Sequence, residues 1–124
     1  MSIPVPLGEL GEALGRYGYA YLLTVADDGR PHAVAVDPVL DGAAFVVGVG
    51  NRSRANVAAR SNIALVFPPA EPGEYSLIVD ADGSVDGDRV RLMPTKAVLH
   101  RPATPGFVSS NPGCVSDCVR LTVE

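Results

Sequence analysis

The sequence lacks tryptophan, has only two cysteines, and contains no uninterrupted apolar run long enough to span a bilayer. Charged residues are scarce at 19% against 47% hydrophobic, which excludes an intrinsically disordered chain. Basic residues do not outweigh acidic ones: 10 against 14 leave a net charge of −4, the wrong sign for a nucleic-acid-binding surface. The opening MSIPVPLGEL has neither the basic flank nor the long apolar core of a secretion signal. Cytoplasmic residence, with Cys114 and Cys118 as reduced thiols, is therefore expected. The spacing of these two would align them on a helix face, which leaves a redox pair as the alternative. With only His32 and His100 as further soft ligands, the usual zinc spacings are missing, and no metal site is expected. Neither histidine stands in a nucleophile-triad pattern, and no catalytic residue is assigned. At 124 residues, without internal repeat or linker, the chain is expected to form one domain over 1–124.

One more absence is local. No Asp or Glu occurs between Asp41 and Glu71, and Arg52, Arg54 and Arg60 all fall inside that window. Ser53 is a favourable helix N-cap, and Arg54–Arg60 reads as two short helical turns with Ala55, Ala58 and Ala59 on one face. Arg52, Asn56 and Arg60, four residues apart, share the opposite face. Asn62 is placed to end the helix in a left-handed conformation before the apolar strand Ile63–Phe67. Free N–H groups, a hydroxyl and two flanking arginines suit an anion, most simply a phosphate; a solvated polar helix face is the competing account. Gly48–Gly50 imitates a glycine-rich phosphate loop, but without the Lys-Ser/Thr ending of a P-loop.

Around this stretch the pattern is that of strands. Leu7–Tyr17 predicts a weak amphipathic helix with the stripe Leu7, Leu10, Leu14, diluted by Gly8, Gly11 and Gly15. Strands are predicted at Tyr19–Ala26, Pro31–Leu40, Ala43–Val49, Ile63–Phe67, Tyr75–Val85 and Arg89–Arg101. Tight turns lie at Asp27–Arg30, Asp41-Gly42 and Asp86–Asp88, a stiff loop at Pro68–Gly73, and a bulge or bend at Asp82-Gly83. His32, Val34 and Val36 occupy one face of the second strand, and Ala33, Ala35 and Asp37 the other. The small alanines either leave room for a flat ligand or pack under the first helix. Cys118–Val123 is a candidate edge strand. Six antiparallel strands with short helices predict a mainly β protein, a closed or nearly closed barrel.

The order of helix, AYLLTVADDGRPHAVAV, FVVGVG and SRANVAARSNIALVF resembles the split-barrel flavoproteins of the pyridoxamine 5'-phosphate oxidase-like superfamily, over about residues 7–101. The resemblance implies a six-stranded antiparallel split β-barrel, a homodimer, and FMN bound in a groove between subunits. Ser53 and Arg54 fall where that family's Ser-Arg/Lys pair grips the cofactor phosphate, with Arg52 beside them and Asn56 at the polar position that follows. His32, Ala33, Val34, Ala35 and Val36 match the strand beside the flavin ring, and Val49 and Gly50 the end of the next strand. Arg54 is expected to be the main phosphate anchor, while Arg60, at the far end of the helix, meets solvent or helix carbonyls.

The chain departs from the true oxidases, whose C-terminal segment holds pyridoxamine with Arg and Trp; with no Trp, pyridoxamine oxidation is not expected. The expected function is a flavin-dependent oxidoreductase that passes a hydride to a small organic substrate. The alternatives are a deazaflavin-dependent reductase and a non-catalytic cofactor-binding module on the same fold.

Overall fold

The computed structural model describes residues 2–102; the expectations for Cys114, Cys118 and the strand Cys118–Val123 lie outside them. Eight strands and two short helices follow one another: β1 Ser2–Pro4, α1 Leu10–Leu14, β2 Ala20–Val25, β3 Pro31–Val36, β4 Val39–Asp41, β5 Ala44–Gly48, α2 Asn51–Ala59, β6 Asn62–Phe67, β7 Ser76–Asp86 and β8 Arg89–His100. The fold is mainly β, an antiparallel sheet curled into a split barrel.

All six expected strands are present. The second is divided in two, and β1 is an addition: three residues carry too little alternation to read as a strand. Strand order in the sheet is β3-β2-β6-β7-β8-β5-β4. β8 pairs with β7 along its length, and its other edge takes β5 at Arg89–Leu92 and β1 at Val98–His100. Although β3 and β4 are the two ends of this order, only Asp37 and Pro38 separate them in the chain. Three residue steps span at most ~10–11 Å, so the two ends of the sheet come together there. Val36 closes the β2–β3 ladder opposite Ala20, and Val39 opens the β4–β5 ladder opposite Val46. The barrel is split where one stretch of chain leaves the first partner for the second.

The turn chemistry places these ladders. At Asp27–Arg30 the Gly29 φ of +83° reverses the chain, Gly29 N–H donates to the Ala26 carbonyl at 2.9 Å, and the Asp28 carboxylate accepts from Arg30 N–H at 3.0 Å. The irregularity in β7–β8 is not at Asp82-Gly83. Asp80 faces Lys96 and Ala81 faces Pro94, which leaves Thr95 as the extra residue of a bulge, its hydroxyl donating to the Asp80 carbonyl at 3.2 Å. Pro94 has no N–H to give the ladder, so the disruption falls beside it. Gly83 is instead a point of close approach: a Cβ there would lie 2.8 Å from Val57 Cγ1, on the helix packed above it.

Phe45, Phe67, Leu22, Leu65, Leu77 and Leu92 are fully buried and form the centre of the barrel, with Phe45 and Phe67 6.0 Å apart. The first helix is shorter than expected. A 3-10 turn at Leu7–Glu9 precedes α1, and the buried residues are Leu10 and Ala13 rather than a Leu7/Leu10/Leu14 stripe; Leu7 is exposed. Glycines at 8, 11 and 15 leave too little helix propensity for a longer element. Among the described residues no helix is long and apolar enough to cross a membrane.

Candidate cofactor site

α2 begins three residues earlier than its side-chain pattern indicates. Gly50, in extended conformation, is the N-cap, Arg54 N–H makes the first helical bond to the Gly50 carbonyl at 3.1 Å, and no side chain caps the end. Ser53 is therefore not the cap. It lies inside the first turn, and Ser53, Asn56 and Val57 form the buried face. The expected polar face of Arg52, Asn56 and Arg60 is not present either, because Asn56 turns inward and Arg60 already has extended backbone. Asn62 starts β6 directly, with no left-handed residue at the helix end. The cause is visible in β2. Ala20, Leu22 and Thr24 point into the barrel, and buried Thr24 Oγ1 accepts a hydrogen bond from Asn56 Nδ2 at 3.0 Å. A buried amide needs a partner, and Thr24 supplies one.

The three arginines of the acid-free window have different surroundings. The Arg54 guanidinium donates to the Val49 carbonyl, to Asn51 Oδ1 and, at 3.2 Å, to the Asp88 carbonyl. It thereby ties the start of α2 to the β7–β8 hairpin. Arg60 donates to the Val25 carbonyl at 2.9 Å and pairs with Asp27 at 2.5 Å, binding the end of α2 to the β2–β3 hairpin rather than to helix carbonyls. Arg52 is exposed at the helix start and makes no ion pair among the described residues.

β3 presents two faces. His32, Val34 and Val36 turn toward the interior; Ala33 and Ala35 are exposed, so they do not pack beneath α1. His32 stands opposite Thr24 in the ladder, and its buried Nδ1 has no hydrogen-bond partner among the described residues. At the seam of the barrel, Ala35, Val36, Asp37 and Pro38 meet Gly48, Leu14, Tyr17, Tyr19 and Phe67 around an open cavity of about 780 Å³. From Gly48 the chain continues through Val49 and Gly50 into the first turn of α2. Of the residues expected at the site, Ala35 and Val36 line this cavity, whereas His32, Val34, Ser53 and Asn56 face inward.

No model of a known protein family matches the sequence. Two mycobacterial proteins do: uncharacterized protein Mb0449c of Mycobacterium bovis and MT0457 of Mycobacterium tuberculosis, each 43% identical with 96% of both chains covered. This chain belongs to their family. Among solved structures, a Listeria innocua protein assigned as a pyridoxamine 5'-phosphate oxidase superposes with a TM-score of 0.63 at 14% identity, covering 75% of this chain and 96% of its own. An F420 reductase gives 0.59 at 21% identity, covering 75% and 98%. The FAD binding protein of Mycobacterium smegmatis gives 0.61 at 16%, covering 82% and 100%. These likenesses show the fold, a split barrel shared with these solved structures.

Within this split barrel, sequence reasoning overlooked Thr24, Asp37, Tyr17 and Tyr19. Thr24 had a signal: it is a polar residue at an inward position of an otherwise apolar strand. Asp37 and the tyrosines had none, because only the exchange of partners at Asp37-Pro38 brings them to Gly48.

Proposed function

We propose that the protein binds a flavin-type cofactor, FMN or alternatively a deazaflavin, along the seam between β3, the end of β5 and the start of α2. The observation that carries this is the lack of side chains where the fold does not require it. Among the described residues, a Cβ at Gly48 or Gly50 would meet no atom within 4 Å beyond its chain neighbours, and neither glycine has a positive φ. With exposed Ala33 and Ala35 on β3, the residues present fit a flat ring laid against backbone. The N–H groups of Asn51, Arg52 and Ser53 precede the first helical bond and, with the unpaired Arg52 guanidinium, suit the phosphate end. Such a cofactor, when bound, supplies hydride chemistry; the chain supplies anchoring, ring orientation and exclusion of water. The flavin- and F420-related names of the structural neighbours favour an oxidoreductase acting on a small organic substrate over a module without turnover.

A second copy of the chain completes the groove in this reading. Across the outer face of the sheet, Ala35, Tyr21, Val66 and Ile78 lie side by side in register, an apolar row over four strands in which Ala35 and Tyr21 are exposed. A row of this kind, continuous with the seam, calls for a cover. The absorption spectrum of the purified protein, anaerobic reduction with a nicotinamide donor and light scattering test the reading together. A yellow, reducible dimer is expected. A protein that takes up neither FMN nor a deazaflavin would refute it, and a bound chromophore that is never reduced would favour the module without turnover.

A further inference from the structure

The cavity at the seam has a lining that cofactor anchoring does not use. Tyr17, Tyr19 and Phe67 contribute rings, Leu14 and Val36 aliphatic surface, and Asp37 a charged side chain. Among the described residues no Arg, Lys or His is in the lining, and Asp37 makes no ion pair. The rings are held in place. The Tyr17 hydroxyl donates to the Tyr75 carbonyl at 2.9 Å, its ring stands edge-on to Phe67 at 6.2 Å, and Tyr19 stands edge-on to Tyr21 at 5.5 Å. Asp37 is exposed, and the following Pro38 restricts its backbone to extended conformations.

We propose that this cavity takes the second ligand of the site, and that the ligand is a small aromatic amine in its ammonium form. Its place beside a cofactor rests on the reading above, because Ala35 and Gly48 border both. Aromatic faces attract a cation and stack on a ring, and an unpaired carboxylate adds attraction for the same charge. An anionic ligand would face Asp37 with no counter-charge among the described lining residues.

Three probes matched in shape separate these effects: 2-phenylethylammonium, 2-phenylethanol and phenylacetate. Calorimetric titration into FMN-loaded protein is expected to rank them in that order, the ammonium about three- to tenfold tighter than the alcohol, as befits an exposed charge pair with ring support. Asp37→Asn should reduce the ammonium preference and leave the alcohol unchanged. Tyr19→Leu should weaken both. Equal affinities, a preference for phenylacetate, or an ammonium preference undiminished by Asp37→Asn would overturn the proposal. The same titrations on protein without FMN keep the two readings apart. FMN uptake without ammonium preference would sink the amine pocket and spare the cofactor site. Ammonium preference in a chain that never takes FMN would overturn the pairing of the two.

Discussion

Asn56 Nδ2 donates to Thr24 Oγ1 at 3.0 Å, and both residues are buried at the contact between α2 and β2. This bond orients the helix whose first turn lies at the candidate site. Thr24→Val keeps the shape of the side chain but leaves the Asn56 amide without its acceptor. The expected cost is about 1–3 kcal/mol, the desolvation penalty of a buried unpaired group. Urea denaturation should show the loss as a lower midpoint with an unchanged slope. His32, opposite Thr24, gives the converse case. Its buried Nδ1 is already unpaired, so His32→Leu should leave stability within about 0.5 kcal/mol or raise it. A large loss in His32→Leu would reveal a partner for that nitrogen.

Two glycines are expected to behave in opposite ways. At Gly83 a methyl group would meet Val57 Cγ1 at 2.8 Å and Leu92 Cδ2 at 3.1 Å, so Gly83→Ala should destabilise by about 1–3 kcal/mol through overpacking. At Gly48, at the end of β5, a side chain would meet nothing. Gly48→Val should therefore fold at least as well as the parent, since a β-branched residue suits a strand. It should bind FMN at least tenfold more weakly, because the valine occupies the cradle. Unchanged FMN affinity in a folded Gly48→Val protein would remove Gly48 from the site.

These contrasts show what the sequence could and could not disclose. The six long strands were legible because alternation and turn residues are local properties: Asp27–Arg30 reverses the chain by its own φ angles and hydrogen bonds. The start of α2 was not. Ser53 is a good cap in isolation, yet the helix begins at Asn51 because burying Ser53, Asn56 and Val57 against β2, β7 and β8 outweighs the preference for a hydroxyl cap. The glycine in Asp82-Gly83 looks like a bulge from sequence, and only the helix above it shows why that residue is small. The division of β3 from β4, which brings Asp37 to Gly48, depends on a sheet seven strands wide curling until its ends meet, and no local signal encodes it.

Tyr17 links α1 to the far strands through its bond to the Tyr75 carbonyl, and burial raises its pKa above the ordinary phenol value, with Arg16 opposing and Glu74 adding to the rise. A raised folded-state pKa means that the neutral phenol is favoured by the fold. Its contribution is therefore complete below the unfolded value near 10 and is lost as pH climbs through the folded value. Tyr17→Phe should cost about 0.5–1.5 kcal/mol at neutral pH and flatten the fall in stability above pH ~10. Denaturation midpoints between neutral and strongly alkaline pH measure both. An unchanged alkaline slope would mean that folding does not raise the Tyr17 pKa.

The arginines of the acid-free window can be separated by a pair of ligands. Arg52 is a cation at the start of α2 without an ion pair among the described residues, and a charge-assisted contact to phosphate is worth about 1.5–3 kcal/mol. Arg52→Ala should thus weaken FMN about ten- to a hundredfold and leave riboflavin, which has no phosphate, nearly unchanged. Arg54→Ala releases the carbonyls of Val49 and Asp88 and loosens the approach to the helix, so FMN and riboflavin should weaken together. Arg60→Ala gives up the Asp27 pair and the Val25 carbonyl at the opposite end of α2, and should move either affinity by less than about threefold. Fluorescence titration of both ligands against the three variants supplies the comparison. A selective loss of FMN in Arg54→Ala, with Arg52→Ala silent, would return the phosphate to Arg54 and require its guanidinium to leave those carbonyls when the ligand binds.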